Sequence, residues 1–299
     1  MPPAKANARA SARIAAAALS GLLAASAVLG VSGGAGTGAS PHGSPWTGGQ
    51  AGNAQAAGGQ PGGGGAVTAA AATSRIRNPG NGRMEAVVPD INRTVLLIGD
   101  SQSEPADGWP RLGLASAGYN VYFCGRGGTG YVAANGATGN YIDALQRGDW
   151  LLPSGAPALI VIEGGGNDAA SGASNARITE NAERLIAELK ARYPGTRMAM
   201  IGTLARGADN GGGRRSEVDA LLGSVAGAHG LPFVSVGDWL TRYGLTKDLA
   251  DSVHMNTAGR AALGGILAGR LRELGLDRKT SAEQGPLAAV AGGNGGYQD

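Results

Sequence analysis

Four short polar stretches hold the residue types that acyl transfer requires. Gly99-Asp100-Ser101 offers a hydroxyl, and Gly125–Gly130 (GRGGTG) offers a pliable backbone with N–H groups. Gly165-Gly166-Asn167-Asp168 offers a side-chain amide, and Asp251-Ser252-Val253-His254 an acid and an imidazole three positions apart. A serine hydroxyl becomes a nucleophile when a base takes its proton, and an imidazole is the usual base. That ring needs an acceptor at its second nitrogen to fix the tautomer, and a carboxylate one turn earlier can supply it. An amide N–H aimed at a developing oxyanion contributes about 3–4 kcal/mol of transition-state stabilisation.

Each stretch also has an ordinary structural role. Strand-Gly-Asp-Ser is a common turn and N-cap. Asp251 could cap the last helix with His254 a solvated neighbour, and Asn167 could be a turn residue that tolerates left-handed backbone. Asp168 is expected to brace its loop and Asp100 its turn. His254 gains weight by elimination. The chain has three histidines; His42 lies in a glycine-rich stretch and His229 precedes Gly230 at a helix end.

These stretches must be positioned by something, and the apolar pattern says what. Five short apolar runs, Thr94–Ile98, Asn120–Cys124, Leu159–Glu163, Arg197–Thr203 and Pro232–Val236, alternate with helical segments. The helical segments are Trp109–Ala117, Tyr141–Arg147, Ile178–Arg192, Ser216–Ala228, Asp238–Tyr243 and Thr257–Leu274, with Pro194-Gly195 closing the third. Runs that are nearly all apolar suit strands covered on both faces. Right-handed crossovers then give an α/β fold, a three-layer α/β/α sandwich with a five-stranded parallel sheet. In such a sheet the functional crevice lies beyond the carboxyl ends of the strands. The polar stretches follow the first, second, third and fifth runs, which is where the crevice would be.

The order and spacing of Gly99-Asp100-Ser101, the glycine loop near Gly128, Gly165-Gly166-Asn167-Asp168 and Asp251-x-x-His254 resemble the SGNH (GDSL-type) hydrolases. The resemblance covers roughly Arg93 to Leu274. It implies a flavodoxin-like sheet and serine esterase activity without a cofactor or metal. It also implies Ser101 as nucleophile, His254 as general base, Asp251 as the group orienting it, and an oxyanion hole of the Ser101 and Gly128 N–H groups with the Asn167 side chain. Gly127 is an alternative to Gly128. Gln102-Ser103 departs from the usual family residues after the serine, which bears on substrate.

Other readings compete. GRGGTG fits the dinucleotide fingerprint, with Asp149 about 20 residues on. Yet it follows the second strand, and Tyr131–Asn140 is a poor helix to receive a pyrophosphate. A non-catalytic or carbohydrate-binding module of the same fold is the alternative from another class, and an acyltransferase would use the same residues. The expected partner is a small-molecule or glycan-borne ester, left open among acetylated sugar, short acyl ester and lipid. Oligomeric state is left open too.

Composition sets the domain plan. Residues 1–31 carry Lys5, Arg9 and Arg13 ahead of an uncharged Ala/Leu-rich run, the pattern of a secretory signal peptide or a weak membrane anchor. Residues 32–83 form a Gly/Ala-rich linker, 84–277 the hydrolase domain and 278–299 a flexible tail. The expected location is secreted or wall-associated, without a stable membrane span in the mature protein. A net charge of +3 with scattered basic residues gives no nucleic-acid stripe. The single cysteine, Cys124, permits no internal disulfide and reads as a small buried side chain.

Overall fold

The computed structural model describes residues 69–278. The expected signal peptide, most of the expected linker, and the tail after residue 278 lie outside the described residues.

The central sheet has five strands: β3 (Thr94–Gly99), β4 (Asn120–Gly125), β5 (Leu159–Glu163), β6 (Met198–Ile201) and β7 (Phe233–Val234). Their order is β4-β3-β5-β6-β7, and every pairing is parallel. This is the flavodoxin-like order, in which the chain reverses direction across the sheet between β3 and β5. A crevice opens at that switch point, so the loops after β3 and β5 face each other.

The sheet is buried on both faces, as its apolar runs require. Leu96, Ile98, Ile160, Ile162 and Met200 point into one layer, where they meet Tyr141 and Leu145 of α2 (Tyr141–Arg147), Ile178 and Leu185 of α4 (Asn175–Arg192) and Leu222 of α5 (Gly213–Ala228). Val95, Leu97, Leu159, Val161 and Ile201 point the other way, onto Leu114 of α1 (Trp109–Ser116), Trp239 of α6 (Trp239–Arg242) and Leu263 and Leu267 of α7 (Thr257–Glu273). Alternate residues of one strand thus feed two cores, the consequence of a two-residue side-chain period. Cys124 is buried, and burial raises its thiol to about 12, so it remains a thiol at neutral pH.

Helices α1 and α7 approach closely because each offers a glycine at the contact. A Cβ on Gly113 would lie 2.5 Å from Leu267 Cδ2, and one on Gly264 would lie 2.7 Å from Leu112 Cβ. This contact matters for the site. α1 follows the Ser101 turn and α7 follows His254 directly, so packing α1 on α7 fixes the two loops against each other.

The structure departs from the sequence expectations in several places. The third loop holds a short helix, α3 (Gly166–Ala170). α4 starts at Asn175 rather than Ile178, because Ser174 Oγ caps it by accepting the Arg177 N–H. β7 is limited to two residues. The largest difference concerns residues 74–83, assigned to the linker by composition. β1 (Ser74–Arg77) pairs antiparallel with β2 (Met84–Val87) around Asn78-Pro79-Gly80, a turn sequence. The hairpin is tied to the domain: Arg83 donates to the carbonyls of Leu145 and Gln146, and Ala69 bridges to Val121. Averaging over a glycine-rich window hid this short β pattern.

Candidate active site

The turn after β3 is built to hold Ser101 at the crevice. Gly99 ends the strand where a Cβ would lie 2.6 Å from Ser103 Oγ and 2.9 Å from Glu163 Oε2, so only glycine fits. The Asp100 carboxylate accepts the Gln102 N–H at 2.9 Å, and its carbonyl accepts from the N–H groups of Ser103 and Glu104. Ser103 Oγ donates to Glu163 Oε2 at 2.7 Å. Asp100 therefore braces the turn. Ser101 is half-buried, and its N–H has no partner among the described residues.

The segment before α7 supplies the acid and the imidazole. Asp251 Oδ1 accepts the N–H groups of Val253 and His254, at 2.8 and 2.7 Å, which curls the chain back on itself. Its other oxygen, Oδ2, lies 2.8 Å from His254 Nδ1, and His254 Nε2 lies 2.8 Å from Ser101 Oγ. The two backbone N–H groups and then the imidazole hold the Asp251 carboxyl well below its usual range. An ionised Asp251 makes Nδ1 the protonated nitrogen and leaves Nε2 as an acceptor for the serine hydroxyl. Downstream, Asn256 Oδ1 accepts the Gly259 N–H and starts α7.

The glycine loop and the α3 loop complete the surround. The Gly127 N–H is taken by Glu104 Oε2 at 2.8 Å. Gly128 follows in left-handed backbone at φ 79°, and its N–H has no partner among the described residues. Gly127 is the glycine beside the serine: a Cβ on it would lie 3.3 Å from Ser101 Cβ. Both hydrogens of the Asn167 amide are engaged, one on Thr129 O at 2.9 Å and one on Asp100 Oδ2 at 3.1 Å. Asp168 is fully buried and accepts three N–H groups, from Tyr131, Val132 and Ala133. It thereby braces the segment that follows the glycine loop. Asp149 is tied locally, accepting from Gly139 N–H and pairing with Arg147.

Ser101, Asp251 and His254 thus form one hydrogen-bonded line, and Asn167 joins Ser101 and His254 around one cavity of about 50 Å³. Gly128 adjoins this group through Gly127 rather than by a contact of its own. A larger cavity of about 370 Å³ also borders Ser101 and His254, lined by Glu104, Pro105, Trp109, Met255 and Arg260 among others.

Three residues in this neighbourhood carry no obvious sequence signal. Gln102 is buried; its amide donates to Val253 O at 2.9 Å and accepts from the Trp109 indole N–H at 3.0 Å. Glu163 ends a strand that is otherwise apolar, and burial together with the Asp100 charge pushes its carboxyl well above the usual range. Arg215 donates to Leu204 O at 2.9 Å, and its charge offsets both Asp100 and Glu163. Burial raises Asp100 to about 6 even so. The hints available were the unusual Gln102-Ser103 after the serine and a glutamate inside a buried run, LIVIE, which demands a partner.

Residues 97–262, more than half of the chain, match the model of the GDSL-like lipase/acylhydrolase family. Several solved structures are similar at low identity. A carbohydrate acetylesterase from Sinorhizobium meliloti is 19% identical, with a TM-score of 0.46 and coverage of 61% of this chain and 99% of that one. A family two carbohydrate esterase from Clostridium thermocellum in complex with cellohexaose is 17% identical, with a TM-score of 0.46 and coverage of 67% and 70%. A lipase/acylhydrolase from Enterococcus faecalis is 22% identical, with a TM-score of 0.46 and coverage of 61% and 96%. No curated protein matches the chain.

Proposed function

Because the chain belongs to the GDSL-like lipase/acylhydrolase family, we propose that it is a serine hydrolase that cleaves carboxylic esters through Ser101, His254 and Asp251. The observation that carries this reading is the line Asp251 Oδ2–His254 Nδ1 and His254 Nε2–Ser101 Oγ, with both distances 2.8 Å.

In the first step Ser101 Oγ bonds to the ester carbonyl carbon while its proton passes to His254 Nε2, and the carbonyl electron pair moves onto oxygen. Asp251 stabilises the imidazolium without taking the proton. The Ser101 and Gly128 N–H groups receive the oxyanion. Asn167 joins them by sharing the hydrogen now held on Asp100 at the longer distance of 3.1 Å. The C–O bond to the alcohol then breaks, and the alcohol leaves with the proton from His254. Water repeats the sequence on the acyl-enzyme: His254 takes its proton, the acid is released, and Ser101 regains its hydrogen.

The cavities suit an ester with a small acyl group and a hydroxylated alcohol. The larger one presents the charged groups Glu104, Asp251 and Arg260, which suit hydrogen bonding to the hydroxyls of a sugar. Residues 1–31 direct export, and the mature enzyme acts outside the cell or at the wall.

A fluorophosphonate probe tests the reading. It should label Ser101 covalently, fail on Ser101→Ala and react far more slowly with His254→Ala. A folded protein that resists the probe would not be a serine hydrolase. Asn167→Ala should lower kcat by about 10²–10³-fold.

A further inference from the structure

We infer that Arg215 closes the acyl side of the Ser101 crevice and restricts the enzyme to esters of very short acids. The inference rests on the serine-hydrolase reading above and adds to it the residue that sets acyl length.

Two cavities meet at this side chain. The first, of about 50 Å³, is bounded by Ser101, Gly166, Asn167, Arg215, Val253 and His254. The second, of about 190 Å³, is bounded by Leu204, Ala205, Arg206, Leu240, Arg215 and Val253 among others. Arg215 and Val253 belong to both walls, and they form the partition. A space of about 50 Å³ takes the equivalent of one to three water molecules, which suits an acetyl or propionyl tail and not a fatty chain. The space beyond is lined by Leu204, Leu240 and Val253 together with Arg206, Ser252 and two glycines, and its volume would take a longer acyl chain were it connected.

Arg215 is held in the partition from several directions. Its Nε donates to Leu204 O at 2.9 Å and its Nη1 to Gly166 O at 3.4 Å, so the guanidinium spans the loop after β6 and the start of α3. Behind it are Asp100 and Glu163, both buried and both attracted to its charge. A Cβ on Gly166 would lie 2.7 Å from Arg215 Nη1, so the guanidinium packs flat on that glycine. A side chain held by two carbonyls and packed on Gly166 does not swing aside readily for a substrate tail. The leaving alcohol is accommodated in the 370 Å³ cavity, which shares Ser101, Gln102 and His254 with the small one but not Arg215.

The experiment is a chain-length series of p-nitrophenyl esters, from acetate to octanoate, read as kcat/KM for each. The wild type should favour acetate over hexanoate by at least tenfold. Arg215→Ala should join the two cavities and shrink that ratio at least tenfold by gaining on hexanoate. Arg215→Met, which refills the partition without the charge, should keep the wild-type ratio even where its rates fall. A side chain that served only to stabilise the fold would lower all rates together and leave the ratio alone. Val253→Ala, in the same partition, should shift the ratio in the same direction by a smaller factor, and it carries the test if Arg215→Ala does not fold. A wild type that favours long chains, or a ratio unmoved in the alanine variants, overturns the inference while leaving the esterase reading intact. Loss of fluorophosphonate labelling in the wild type would overturn the reading itself.

Discussion

The Gln102 side chain bridges the two loops that carry Ser101 and His254: its amide donates to Val253 O at 2.9 Å, while its carbonyl accepts the Trp109 indole N–H at 3.0 Å. Gln102 follows the serine and Val253 precedes the histidine. One buried amide therefore fixes the distance between nucleophile and base from the far side of each. Removing the tie by Gln102→Ala should lower kcat by about 10–100-fold with little change in KM, since small misplacements of reacting groups cost that much. It should also leave the Trp109 N–H unpaired in the core, at a cost of about 1–3 kcal/mol. Gln102→Glu keeps an acceptor for the indole but sets a carboxylate against Val253 O. Its kcat should fall as far as that of the alanine variant, with a smaller loss in Tm. Steady-state kinetics and thermal unfolding separate the two effects.

Asp100 sets a pH dependence of stability. Burial raises its carboxyl from the ordinary 3.8 to about 6 in the folded protein. Between these values the native state binds more protons than the unfolded chain, so stability falls as pH rises. The contribution is fully present below about pH 4 and is lost as pH passes 6. Glu163, raised by burial and by the Asp100 charge, acts with the same sign. Asp100→Asn should flatten the Tm profile between pH 4 and pH 6 relative to wild type, and an unchanged slope would remove Asp100 as its source.

The glycine loop gives a conformational prediction. Gly128 sits at φ 79°, and a Cβ there would lie 3.1 Å from Asn135 Nδ2. Gly128→Ala should cost about 1–2 kcal/mol from the left-handed backbone and, by turning the N–H, lower kcat about tenfold or more on the view that this group meets the oxyanion. Glu104→Ala frees the neighbouring Gly127 N–H and removes a carboxylate beside the serine, so hydrolysis of an ester carrying a negative charge on its alcohol should accelerate relative to a neutral one. A slower reaction would mean that Glu104 holds the loop in its working shape.

Asp168 should behave as a structural residue. It accepts three N–H groups from a segment far from it in sequence and has no exposed surface. Asp168→Ala leaves those donors without their acceptor, and the loss should be at least about 3 kcal/mol, given about 1–3 kcal/mol for each unsatisfied buried group. Denaturant unfolding measures it. Activity should fall with stability, because the tethered segment runs on from Gly128 and Thr129.

The sheet was legible because its cause is local. A strand buried on both faces must be apolar along its length, and Thr94–Ile98 and Leu159–Glu163 show that without reference to anything else. The β1–β2 hairpin was not, because two four-residue strands carry too little pattern to stand out of a glycine-rich stretch. The residue types in the site were legible for a chemical reason: a hydroxyl, an amide and an imidazole following the first, third and fifth strands of the sheet are together the parts an acyl-transfer site needs. Their contacts were not. Ser101 and His254 are 153 positions apart, and it takes the packing of α1 on α7 together with the Gln102–Val253 tie to bring Nε2 to 2.8 Å from Oγ. That the Gly127 N–H is taken by the Glu104 carboxylate while the Gly128 N–H has no partner among the described residues was likewise invisible in the sequence. Gln102, Glu163 and Arg215 are ordinary polar residues in the sequence. Burial, nearly complete for Gln102 and Glu163 and partial for Arg215, makes them consequential, and burial is decided by everything that folds around a residue rather than by the residue itself.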